Sequence, residues 1–297
     1  METELTIAIT AKDADAALLR LLNSLCRQDY AGLARTRVLL LTPEDPNGSD
    51  PSRHSVPASG AGSLHDAIDR FKGRLAIEPV LCGVESPAAR RNVAAALATT
   101  PYVLFLDPDV ELPYRAGPER QLDKSLLRRA VEAIAQRKIH LVTASVVCLH
   151  GCFLDDLLSL ANNLIQRASC FLRPFAACTS IGIFLLFDRN EFLRLGGFNQ
   201  QALFVDGALL SKAIPRERFH LLPGRIQTAN RRMHEIGHGR IAIGLLRAMI
   251  HSGDRQFVMR DALVTRGPLH PDRSHPLWID HNEQPLAPGQ HGTVGSL

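Results

Sequence analysis

Much of what would place this chain quickly is missing from it. The six cysteines include no C-x-x-C pair, which argues against a zinc ribbon or a dithiol redox motif. Scattered single thiols fit a reduced core better than a disulfide framework. No run of lysine or arginine accompanies the formal charge of +4, so nucleic acid finds no electrostatic footprint, whereas an anionic small molecule or a membrane surface stays open as a partner. Near the middle, the strongest apolar run is "SIGIFLLF" at residues 180–187, too short to cross a bilayer as a helix. The opening "METELTIAIT" carries acidic residues where an export signal carries basic ones, so a soluble, cytoplasmic protein is expected. No internal repeat is visible.

What is present is ordinary globular material with an ordered pattern. At 297 residues and 45% hydrophobic composition, the chain can bury a substantial core. "LTIAIT", "RVLLLT", "RLAIEPVLC" and "YVLFL" read as strands. Between them lie "ADAALLRLLNSLCRQ", "SLHDAIDRFKG" and "SPAARRNVAAALATT", with helical spacing or helix-start signals. Such alternation predicts an α/β fold with a mostly parallel sheet sandwiched by helices. Residues 43–62, rich in Pro, Gly, Ser and Asp, predict a long loop. Beyond residue 109 the pattern predicts a helix over 121–136, a strand over 139–147, an apolar helix over 154–171 packed on the sheet, and a strand over 181–187. A short helix at "RNEFLRL", a Gly-Gly turn at 196 and 197, and a helix around "GALLSKAI" follow. From residue 267 the sequence is a tail rich in Pro, Gly and His.

Three stretches carry candidate chemistry. "YVLFLDPDVELP" delivers Asp107 and Asp109 to the carboxyl end of a hydrophobic strand, where α/β sheets bind ligands. Two hard oxygen donors there suit Mg²⁺ or Mn²⁺ carrying a diphosphate, although a polar turn ending a strand reads the same way. "RRMHEIGHGR" holds His234-Glu235-x-x-His238, which on a helix would grip one Zn²⁺ with Glu235 activating water. The extended motif wants glycine at position 241 and histidine at 244, where the sequence has Ile241 and Gly244, and Gly237 and Gly239 each weaken a helix by roughly 1 kcal/mol. "CLHGC" spaces Cys148, His150 and Cys152 alternately. On a strand these would share a face, yet no fourth ligand stands at a recognisable spacing, so buried or partly buried structural residues are expected.

Several segments together resemble family 2 of the glycosyltransferases, the inverting enzymes with a GT-A fold. In the family's order come "LLNSLCRQDY", "AARRNVAAALATTPYVLFLDPD", "FDRNEFLRLGGFNQ" and "FVDGALLSKA", and the likeness covers roughly residues 5–240. The resemblance implies a metal-dependent transferase that moves a sugar from a nucleoside-diphosphate sugar to an acceptor, which could be a glycan, a lipid-linked molecule or a small molecule. Asp109 would coordinate Mn²⁺ or Mg²⁺, and Asp107 would contact the nucleotide sugar. Arg91 would hold the nucleotide or order the loop beside it, unless it is a solvated helix arginine. Thr10 and Thr42, at the ends of the first two strands, and Glu44 fall where the nucleotide is contacted. Asp206 would be the general base that takes the acceptor hydroxyl's proton, or a helix cap. Arg231 and Arg232 would meet the diphosphate, and His234 would complete the metal shell.

The resemblance also implies a nucleotide-binding half, residues 1–112, and an acceptor and catalytic half, residues 113–266. Two departures stand out. The acidic residue expected at the end of the second strand is Thr42, and the Glu-Asp pair is Val205-Asp206, with Lys212 for the downstream arginine. They keep open a non-catalytic nucleotide-binding scaffold, and His234-Glu235-x-x-His238 keeps open a zinc hydrolase.

Overall fold

A computed structural model of the chain describes residues 5–11, 15–43, 64–84, 86–113, 125–149, 151–171, 183–198 and 214–229, together with 237 and 239. Among these residues eight strands form one sheet: β1 (Leu5–Thr10), β2 (Arg37–Pro43), β3 (Ala76–Cys82), β4 (Tyr102–Leu106), β5 (Val110–Glu111), β6 (Leu141–Cys148), β7 (Phe184–Asp188) and β8 (Phe219–Thr228). Their order is β3-β2-β1-β4-β7-β6-β8-β5. The block β3-β2-β1-β4 is parallel, as the alternating segments predict. The other half is mixed: β7 runs antiparallel to both β4 and β6, β6 and β8 are parallel, and β5 closes the edge antiparallel to β8.

The central strands are apolar on both sides because helices cover both faces. One face packs against α1 (Ala16–Cys26), α2 (Leu64–Phe71) and α4 (Leu126–Arg137), through Leu18, Leu22, Phe71, Leu127 and Ile134 against Ile7, Leu40 and Leu104. The opposite face packs against α3 (Pro87–Leu97) and α6 (Arg189–Arg194). There Phe105, Phe187, Phe192 and Phe198 form an aromatic cluster with ring centroids 5.0–6.2 Å apart, mostly edge to face. The alanines of α3 let that helix sit close on the sheet.

Local signals set the helix starts. Asp15, Ser125 and Asp188 each accept a bond from a backbone N–H of the first turn they cap, and Pro87 opens α3, where its missing N–H costs nothing. "Gln-Asp" at 28 and 29 ties separate segments together: Leu127 N–H donates to Gln28 Oε1, Gln28 donates to Leu112 O, and Ser125 N–H donates to Asp29 Oδ1. Burial acts to raise the Asp29 pKa, but the hydrogen bonds from Ser125 and the nearby Arg128 charge outweigh it and hold it below its ordinary value.

Two expectations are corrected. Cys152, expected to be at least partly buried like Cys148, is exposed: β6 ends at Cys148, and Cys152 lies beyond it, after Gly151, where a side chain would collide with Cys148 and Asp155. Cys148 is buried and Cys152 exposed, and among the described residues no group of three or more His, Cys, Asp or Glu side chains is placed to hold a metal. The helix α5 (Phe153–Phe171) exists as its periodicity predicts, but it does not lay its leucines on the sheet. Its polar side faces inward, with Asn163 accepting from Val146 N–H and donating to Val146 O. No helix among the described residues is long and apolar enough to cross a membrane.

Candidate functional site

The site is built where the parallel strands end. In register, Ile9 stands beside Leu106 and Thr10 beside Leu41, so Thr10, Thr42 and the Asp107-Pro108-Asp109 turn line one edge of the sheet. Thr10 and Thr42 are buried, and the Thr42 hydroxyl oxygen has no hydrogen-bond partner among the described residues. Asp107 and Asp109 are partly exposed. The turn's backbone is held on both sides: Asp107 N–H donates to Ile183 O at 3.3 Å, and Ala229 N–H donates to Asp109 O at 3.3 Å. The second contact brings the end of β8 directly against the turn.

Helix α3 reaches the same place with two consecutive side chains. Arg91, only 5% exposed, forms an ion pair with Asp107 through Nη2 and Oδ1, and its guanidinium lies 5.5 Å from the centroid of the Phe198 ring. Asn92 bonds Phe198 reciprocally. Its Nδ2 donates to Phe198 O at 2.9 Å, and Phe198 N–H donates to its Oδ1 at 2.8 Å. That close approach needs a bare backbone before Phe198: Gly197 has φ +71°, and a Cβ there would stand 2.6 Å from Asn92 Oδ1. One turn of α3 therefore fixes both the strand-end carboxylate and the Gly-Gly-Phe turn from which the chain continues toward Asp206.

The structure thus brings together Thr10, Thr42, Arg91, Asp107 and Asp109. Glu44, Asp206, Arg231, Arg232 and His234 lie outside the described residues, as do Glu235 and His238 of the zinc-type motif. Gly196 and Gly197 form the turn expected of them, both at positive φ, whereas the sequence gives Asn92 no role of its own. The spacing of Asn92 and Gly197 in sequence offered no hint that they touch.

The donor set suits a hard cation. Mg²⁺ and Mn²⁺ take one or two carboxylates and complete their shell with water and phosphate oxygens. Asp109 offers such a carboxylate, while the Asp107 charge is shared with Arg91.

No family model matches the chain, and no curated protein matches it in sequence. Solved structures do share its architecture. TarS of S. aureus superposes with a TM-score of 0.52 at 14% identity, covering 83% of this chain and 40% of that one. The chain therefore spans less than half the length of TarS. Residues 1–349 of TarS, in complex with UDP-GlcNAc, give a TM-score of 0.53 at 14% identity over 95% of this chain and 78% of that one. The mannosyltransferase PcManGT from Pyrobaculum calidifontis, in complex with GDP-Man and Mn²⁺, gives 0.53 at 18% identity over 92% and 77%. At such identities the likeness is one of fold, and this chain has the mixed α/β fold, a sheet flanked by helices, of these glycosyltransferases.

Proposed function

We propose that this chain is a family 2, inverting glycosyltransferase that moves a sugar, of hexose type, from a nucleoside-diphosphate donor to an acceptor hydroxyl. The observation that carries the reading is the D-x-D turn at the carboxyl end of β4, with its first carboxylate locked by Arg91, in a fold shared with structures that hold UDP-GlcNAc or GDP-Man and Mn²⁺. Thr10 and Thr42 fall at the strand ends where a nucleotide would lie, with Glu44 two residues on from Thr42 in the sequence, and the unpartnered Thr42 hydroxyl is suited to bonding the nucleotide. Arg91 acts as a positioning residue. Too buried to embrace a ligand, it fixes Asp107 in the turn that carries Asp109.

A divalent cation held by Asp109, and by His234 if it reaches the turn, would supply electrostatic stabilisation of the leaving diphosphate. Arg231 and Arg232 would grip the same phosphates with their guanidinium forks. They follow Ala229, whose N–H bonds Asp109 O, by two and three residues. Asp206 would take the acceptor proton as the hydroxyl oxygen attacks the anomeric carbon and the bond to the diphosphate breaks. A single displacement inverts that carbon, and no covalent enzyme intermediate is needed.

The test is thermal unfolding of the purified chain with UDP, GDP, dTDP or CDP in Mn²⁺, Mg²⁺ or EDTA, followed by transfer assays with the stabilising nucleotide's sugars. One nucleotide should raise the melting temperature by mass action, in a manner that needs both the cation and Asp109. Asp206→Ala should abolish transfer while leaving that stabilisation intact. No stabilisation by any nucleotide would overturn the reading, and stabilisation without transfer would leave a nucleotide-binding scaffold.

A further inference from the structure

Helix α5 is turned inside out relative to a surface helix. Among its described side chains the buried ones are Asp155, Ser159 and Gln166, while Phe153, Leu154, Leu157, Leu160 and Leu164 stand 48–79% exposed. A surface helix hides its apolar stripe and wets its polar one. Here the inward polar face is tied to the sheet by Asn163, which closes two hydrogen bonds with the backbone of Val146 on β6. The apolar stripe is therefore not an error of rotation: turning the helix would break those bonds. The steps from 153 to 157, 160 and 164 alternate four and three residues, the seam of a helix that packs against another helix.

The charges beside the seam identify the occupant. Asp156 and Arg167 are the exposed charged residues of α5 among its described side chains, and neither forms an ion pair among the described residues. Eleven residues apart, about three full turns, they lie along the same flank of the leucine seam. In an antiparallel pair of α5 helices, with the two-fold axis passing between the levels of Ala161 and Asn162, Asp156 of each copy falls opposite Arg167 of the other. The stripe offers on the order of 500 Å² of apolar surface per chain, so a symmetric pair would bury about 1,000 Å², what a specific interface requires. A lipid surface fits less well, because interfacial helices carry several Lys or Arg on the polar face and α5 presents one cation balanced by one acid. We infer that the exposed face of α5 is the docking surface for a second copy of this chain, packed antiparallel about a two-fold axis near Ala161.

Sedimentation velocity of the purified full chain over a wide concentration range tests this, with three sets of variants. Leu157→Glu with Leu164→Glu should give a monomer of unchanged thermal stability, since both side chains are exposed. Asp156→Arg should weaken association roughly ten-fold by setting like charges against each other at two symmetric places, and adding Arg167→Asp should restore it. Ala161→Cys should yield a disulfide-linked dimer on mild oxidation that the native chain does not form. A native chain that stays monomeric throughout, or a dimer indifferent to the glutamates and to the charge swap, would overturn the inference. So would a monomer that binds vesicles of phosphatidylglycerol and phosphatidylcholine through these leucines.

Discussion

Helices α3 and α5 both press polar side chains against the sheet, but to different ends. In α3 the buried polar groups are used within the chain: Arg91 on Asp107 and Asn92 on the Phe198 backbone, with alanines filling the space between. In α5 the half-buried Asn163 holds β6, but a stripe of leucines is left in solvent. The difference separates two uses of buried polarity. Around α3 it specifies the geometry of a site, and along α5 it fixes which way an apolar surface points.

The largest effect should come from the tightest contact. Gly197→Ala places a methyl group against Asn92 Oδ1 at a positive φ, and should cost about 2–4 kcal/mol of stability by chemical denaturation. Asn92→Ala, which leaves the Phe198 N–H and carbonyl unpaired, should cost about 2–3 kcal/mol. The two costs should not add, because removing Asn92 removes the clash; a double variant about 1 kcal/mol less impaired than the sum would show it. Additive costs would mean that Asn92 and Gly197 do not meet as described.

Arg91→Met should come next. It strips Asp107 of its partner in a half-buried place, and a loss of about 2 kcal/mol is expected, less than for a fully buried pair because Asp107 keeps some water. Transfer activity should fall with it. Arg91→Lys should not rescue activity, since a point charge lacks the guanidinium plane that lies over Phe198. Asp109→Asn should do the opposite of Gly197→Ala, leaving stability within about 0.5 kcal/mol while eliminating cation-dependent nucleotide binding. Together these variants distinguish residues that build the turn from the residue the turn presents.

How far the sequence disclosed this depends on the element. Strands β1, β2 and β4 are continuous apolar runs, which burial on both faces requires, and they were legible. So was β3 despite Pro79, because it is an edge strand and can spare an N–H. By contrast β8 was not legible. "FHLLPGRIQT" is interrupted by Pro223-Gly224, which reads as a turn, yet the strand continues because the register with β6 shifts between Ala144 and Ser145. The interruption is accommodated there, with Gly224 at φ +134° and Pro223 O accepting from Arg129 Nη1. The D-x-D turn could be located from its strand, and the family resemblance allowed Arg91 to order the loop beside it, but the tie between Asn92 and Phe198, 106 residues apart, could not be read. For α5 the period gave the helix and its hydrophobicity suggested the wrong face, because the sheet offered that helix hydrogen bonds instead of an apolar surface.

The smallest effect should lie in the charges outside the site. Glu191 on α6 has a pKa below its ordinary value of 4.5. Hydrogen bonds from Arg194 are the main cause, burial opposes them, and the charges of His140 and Arg194 add to the lowering. His140 Nδ1 stands 3.5 Å from Glu191 Oε1, and Arg194 is mostly exposed, so water screens its share. A depressed carboxylate contributes stability that is complete above its unfolded pKa and is lost as pH falls through the folded one. Acid titration of the native chain should therefore show Glu191's contribution fading below about pH 4.5, as the carboxylate takes up its proton and releases Arg194. Glu191→Gln should remove that portion of the acid sensitivity and move the acid midpoint by a fraction of a pH unit. A larger movement would mean that Glu191 with its mostly exposed partner Arg194 contributes as much as Asp107 does with the buried Arg91, and the contrast between a buried and an exposed guanidinium in this fold would fail.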